Sequence, residues 1–138
     1  MAKLAQEKGS YAQAGVIRVY GSFTTNGSSA PTAIRDGNSR IIASAVRTSA
    51  GLYTVTFDTG FPIPEKLIHA FAHLHLSATP TIVGWASYVA GSYSQSARTF
   101  QIVVYHVSGT PGVGDPDTGT RVSFELVGGI LSPSTDPA

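Results

Sequence analysis

Between Gly51 and Asp58 apolar and polar side chains alternate without interruption: Tyr53, Val55 and Phe57 fall on one side of the chain, Thr54, Thr56 and Asp58 on the other. A period of two is that of a half-buried antiparallel strand. Gly60-Phe61-Pro62 closes the run with a turn signal. Similar runs recur at short intervals: Val16 to Tyr20 and on toward Phe23, then 40–48, 66–76, 81–89, 98–107 and 120–127. Gly, Pro, Asn, Asp and Ser separate them, Asn26-Gly27 reads as a tight turn, and Ser49-Ala50-Gly51 joins 40–48 to 51–58 as a hairpin. The stretch after Phe23, rich in Thr, Asn, Gly and Ser, reads as a polar loop leading through Pro31 to a turn at Asp36-Gly37-Asn38. Such runs predict one all-β domain, a sandwich or a barrel, and seven or eight strands is the count of an antiparallel β-sandwich. The predicted core is Val16, Tyr53, Val55, Phe57, Ile102, Val104, Val122 and Phe124.

In 66–76 the period of two favours a strand over the amphipathic helix that its Ala and Leu content would also allow. Ile68, Ala70, Ala72, Leu74 and Leu76 are predicted to share one face, and Leu67, His69, Phe71, His73 and His75 the other. Residues 1–14 carry too few apolar side chains to dock and read as an N-terminal arm, 15–131 as the sandwich, and 132–138 as a polar C-terminal tail.

Composition narrows the function. A chain of 138 residues is long enough to bury a core without staples, and with no cysteine it can form neither disulfides nor thiolate metal sites. Charged residues make up 12% of the chain, against roughly 25% in an average domain. A surface so poor in charge favours partial coverage by other protein, although Ser and Thr can also solvate a surface. Nine Lys and Arg against eight Asp and Glu give a net charge of +1 without a basic run, so nucleic acid is not an expected partner. No apolar run is long enough to cross a membrane, and the first ten residues lack a signal-peptide core. The expectation is synthesis in the cytosol with no membrane partner.

Candidate chemistry is sparse. His73 and His75, with His69, stand at alternate positions where imidazoles can share a metal ion, but further ligands would have to come from Glu65 or His106. The simpler reading is a polar strand face that is solvated or packed on a neighbouring subunit; in the second case imidazoles near a symmetry axis make assembly sensitive to pH. Asp115-Pro-Asp117 resembles the start of a calcium loop but lacks its later Gly and Glu, and reads as a turn. The glycine-rich stretch 109–119 lacks the Lys-Ser/Thr ending of a phosphate loop, and no Gly-x-Ser-x-Gly elbow occurs. Asp58, Glu65, Asp115, Asp117 and Glu125 form no recognisable acid pair by spacing. Trp85, Tyr88 and Tyr93 could stack on a sugar, or serve as core or interface aromatics. The chain is therefore expected to be no enzyme, with no catalytic residue, no metal and no cofactor.

The run Val46-Arg-Thr-Ser-Ala-Gly-Leu-Tyr-Thr-Val-Thr-Phe57, the following Phe61-Pro62, and Asp117-Thr-Gly-Thr-Arg-Val-Ser-Phe124 resemble small β-sandwich structural proteins of tailed bacteriophages. The resemblance spans about residues 40–128. It implies a jelly-roll-like homotrimer without an active site: a head decoration (cement) protein on the outer capsid surface of the virion, bound to the major capsid protein. The alternative it implies is a trimeric tail-fibre or receptor-binding domain recognising a host surface glycan through loops 90–97 and 108–119. In the cement reading Lys3, Leu4, Lys8 and Tyr11 of the arm are the expected capsid contacts, and His69, Phe71, His73 and His75 the expected trimer contacts.

Overall fold

A computed structural model describes residues 15–36 and 41–129, and these form nine strands. They are β1 (Val16–Asn26), β2 (Ser29–Asp36), β3 (Ile42–Ser49), β4 (Leu52–Phe57), β5 (Lys66–His75), β6 (Gly84–Tyr88), β7 (Thr99–His106), β8 (Gly112–Val113) and β9 (Arg121–Gly129). One sheet runs β2-β1-β9-β5; the other runs β3-β4-β7-β6, with the two-residue β8 paired to β7. Every pairing is antiparallel. The sheets pack face to face, with β2 beside β3 at one margin and β5 beside β6 at the other. The fold is an all-β sandwich, as the alternation predicts.

Aromatic rings join the two layers. Phe57 on β4 stacks on Phe100 of β7 with centroids 5.4 Å apart, and Phe124 of β9 meets Phe100 edge-on at 4.9 Å from the opposite sheet. Phe23 of β1 tilts against Tyr53 of β4 at 5.3 Å. Between them Val55, Ile102, Val104, Val122 and Leu126 are fully buried. Such edge-to-face and offset contacts are the preferred packing of aromatic rings.

Three sequence expectations need correction. Val16 is 40% exposed. It shares its side of β1 with Arg18 and Tyr20, while Ile17, Val19 and Phe23 turn inward. The stretch read as a polar loop after Phe23 is strand: β1 continues to Asn26, turns through Gly27 at φ 58°, and returns as β2. Pro31 is tolerated there because β2 is an edge strand. The faces of β5 also change at its start. A bulge between Leu67 and His69 turns Leu67 toward the core and leaves Ile68 67% exposed, after which Ala70, Ala72 and Leu74 pack inward as expected. The bulge sits opposite Gly128, where a Cβ would lie 2.2 Å from the Lys66 carbonyl oxygen and 2.5 Å from Pro64 Cβ. Only glycine lets the chain enter β5 so closely.

The rings set a stability hierarchy. Phe57→Ala should lower the unfolding free energy by about 3–5 kcal/mol, whereas Val16→Ala, at an exposed position, should stay within about 0.5 kcal/mol. Urea titration of both variants checks this, and equal losses would contradict the assigned phase of β1.

Candidate functional site

Side chains equipped for chemistry gather at the end of the sandwich where β3 turns into β4, and there they fasten the chain to itself. Arg47 Nε and Nη2 donate to the two carboxylate oxygens of Asp115 at 2.8 and 2.7 Å, and the Gly51 N–H donates to Asp115 Oδ1 at 2.9 Å. The Arg47 guanidinium, helped by the Gly51 N–H and opposed by burial, holds the Asp115 carboxyl below its ordinary value of 3.8. Gly51 must be glycine: its φ is 70° and a Cβ would meet the Gly114 backbone at 2.6 Å. His106 Nε2 lies 2.7 Å from the Asp115 carbonyl oxygen. Asp117 accepts from the Ile82 N–H at 2.9 Å and from the Thr81 hydroxyl and N–H at 2.7 Å each, which lower its pKa in turn. The two carboxylates that resemble a calcium loop thus tie segment 108–119 to the β3–β4 hairpin and to the β5–β6 connection.

The β6–β7 connection is fastened as well. Ser94 and Thr99 exchange backbone hydrogen bonds at 2.8 and 3.1 Å, so the hairpin continues beyond its strands. Tyr93 donates its hydroxyl to the Pro64 carbonyl, and Arg98 Nη2 donates to the Asp58 and Phe61 carbonyls. Tyr88 and Tyr93 pack against the core; of the three aromatics singled out for sugar stacking, Trp85 alone is exposed.

What remains open is the two broad outer faces. On the four-stranded sheet the expected trimer contacts come together: His69, Phe71, His73 and His75 are all exposed on β5, with the His69 and Phe71 rings 4.9 Å apart. Cross-strand pairing sets Phe71 on one side of Glu125 and Tyr20 on the other, and His75 beside Arg121. Arg18 Nη1 bonds Glu125 Oε2 at 2.6 Å, and His75 Nε2 lies 2.9 Å from Ser123 Oγ. This face is mixed: aromatic, basic and acidic. At its end a groove of about 280 Å³ is lined by Thr24, His75, Leu76, Gly119 and Arg121. His106, named as a further ligand for the β5 imidazoles, belongs to the other sheet, and among the described residues no three His, Asp or Glu side chains gather as a metal set.

The five-stranded sheet presents a different face, which the sequence reading missed. Trp85 on β6, Tyr105 on β7 and Val113 on β8 pair in one row across the strands. Trp85 and Val113 are each 53% exposed, and the Trp85 and Tyr105 rings stack at 5.3 Å, 12° from parallel. Exposed Val83 and Val107 extend the row, joined by a backbone hydrogen bond of 2.8 Å. Beside it lies an uncharged half that mixes hydroxyl and amide side chains with the exposed Val46, in which Thr54 Oγ1 sits 2.7 Å from Thr48 Oγ1 and accepts from Gln101 Nε2 at 3.2 Å. In the five strands Arg47 is the sole Asp, Glu, Lys or Arg, and it is engaged by Asp115. Lys3, Leu4, Lys8 and Tyr11, the expected capsid contacts, lie outside the described residues, as does the tail 132–138.

No family model, no curated protein and no solved structure matches this chain.

The Arg47–Asp115 clamp has a definite pH signature. A carboxyl whose pKa folding lowers adds stability above its unfolded value, and that stability is lost as pH falls through the folded value. Asp115→Asn should therefore lower stability at pH 7 and flatten its decline below pH 3.8. Urea unfolding of both proteins from pH 7 to pH 2 checks this; parallel curves would mean that the clamp adds nothing.

Proposed function

We propose that this chain is a non-enzymatic structural protein of a virion, a decoration protein that binds the assembled head shell from outside and stabilises it. What carries the reading is where the molecule places its resources. The carboxylates of Asp115 and Asp117 are engaged in holding the connections down, while both broad faces expose aromatic and aliphatic side chains. Exposed apolar patches of this kind mark surfaces that other protein covers. The virion setting comes from the sequence resemblance, and self-association from the faces. His69, Phe71, His73 and His75 are the trimer contacts in this reading, and the arm, through Lys3, Leu4, Lys8 and Tyr11, lies along the major capsid protein.

A decoration protein that binds the assembled shell and not its loose subunits stabilises the assembled state by linkage. Several arms on one rigid body bind together far more tightly than a single arm does. The fibre-tip alternative places recognition in loops 90–97 and 108–119. Both are tied down by hydrogen bonds to neighbouring elements, which favours the broad faces as the working surfaces.

Mass spectrometry of purified particles should find the chain at hundreds of copies per virion; a handful of copies would point to a fibre, and none would end the reading. Deleting residues 1–14 should leave the melting transition unchanged and sharply weaken binding to undecorated shells. A truncated protein that binds as well as the intact one would remove the arm from the contact.

A further inference from the structure

We infer that the outer face of the five-stranded sheet is a homotypic interface, on which a second copy of this chain packs about a two-fold axis running along β7. The inference rests on the reading that the chain self-associates and identifies the surface by which it does so.

Charge decides the occupant. About a two-fold axis a surface meets itself, so each charge near the axis faces a like charge. On the four-stranded sheet such a contact would bring Arg121 and the β5 imidazoles, beside the exposed Arg18–Glu125 pair, toward their own copies. The five-stranded face carries no charged side chain, the one arginine of its strands being held by Asp115. It can meet itself without that penalty.

Shape agrees. An axis along β7 sets Tyr105 opposite its own copy, and places Trp85 of each copy against Val113 of the other, because Trp85 and Val113 flank Tyr105 in one cross-strand row. The large ring of each copy falls on the small side chain of its partner. Val83 and Val107 prolong the apolar contact along the axis. The same rings argue against a flat polysaccharide. A sugar platform needs rings lying side by side in the plane of the sheet, whereas Trp85 and Tyr105 stack against one another at 5.3 Å and stand up as a ridge.

The area is sufficient but modest. Strands about 4.8 Å apart, rising about 3.3 Å per residue, give a face of roughly 20 by 20 Å. Two copies would cover on the order of 1,000 Å² between them, near the lower bound for a specific protein contact. Association in the micromolar range is the expectation.

Sedimentation analysis from about 1 to 200 μM tests this with one variant on each face. The wild type should pass from monomer to dimer, or to hexamer if a three-fold contact at β5 forms as well. Trp85→Arg and Val113→Lys should each weaken the two-fold step at least tenfold, about 1.4 kcal/mol, while Phe71→Glu leaves it intact. Circular dichroism melts of all three establish that they fold. The one imidazole of these strands, His106, alternates with Tyr105 and so turns to the other side of the sheet, with Nε2 at the Asp115 carbonyl oxygen; with no imidazole or carboxylate on the outer side of the strands, the two-fold step should be the same at pH 5.5 and 7.5. A trimer lost in Phe71→Glu and unchanged in Trp85→Arg would overturn the inference and leave the decoration reading standing. A protein that stays monomeric at 200 μM overturns the inference outright. Failure of the intact protein to bind undecorated shells overturns the decoration reading instead.

Discussion

The contact on which the rest of this molecule depends is the meeting of Phe57, Phe100 and Phe124 between the two sheets. Side chains on a strand alternate between faces, so committing these three rings to the interior commits every neighbour. With Tyr53, Val55 and Phe57 inside, Leu52, Thr54 and Thr56 must face out along β4; with Phe100, Ile102 and Val104 inside, so must Gln101, Val103 and Tyr105 along β7. The uncharged outer face is the complement of the core, and a slip of one residue would exchange them. Structure and proposed function therefore share one determinant, the phase of the central strands.

The margins of the sandwich are built by other means. Where strands end, backbone groups need partners, and a small set of polar side chains supplies them: Asp115 for the β3–β4 hairpin, Asp117 for the segment entering β6, and Arg98 for the Asp58–Phe61 turn. Those fastenings account for the two carboxylates whose spacing resembles a calcium loop. Carboxylates locked in this way are poorly placed to transfer protons or bind a cation, and loops held so firmly offer little freedom to adapt to a ligand. Among the described residues the broad surfaces left to interact are the two faces, one mixed in charge and one without any.

Much of the fold was legible in the sequence because β4, β7 and, as far as Leu126, β9 alternate between a buried side and a more open one. Legibility failed where another constraint outranked alternation. Val16 lies on the same side of β1 as Arg18, a conflict already visible in the sequence that should have sent it outward. β2 has no apolar pattern because it is an edge strand carrying Pro31, and its polar composition mimics a loop. Ile68 and Leu67 exchange sides because of a bulge that depends on Gly128, far away in sequence. The grouping of His69, Phe71, His73 and His75 on one exposed face was readable, since the alternation resumes after the bulge. The Trp85 face was not, because Trp85, Tyr105 and Val113 belong to three separate segments that only the sheet order brings into one row. Its signal, the near absence of charge from β3, β4, β6, β7 and β8, becomes visible once those strands are known to form one sheet.

The central claim is that this uncharged face is covered by another copy when the protein is at work, and Trp85 provides a direct reporter because it is the chain's single tryptophan. In the isolated chain it is half exposed and should emit like a hydrated indole. The measurement is acrylamide quenching of its fluorescence across a concentration series. The account predicts that emission shifts to the blue and quenching falls as copies associate. An indole that stays equally open to quencher in a protein that has demonstrably self-associated would contradict it.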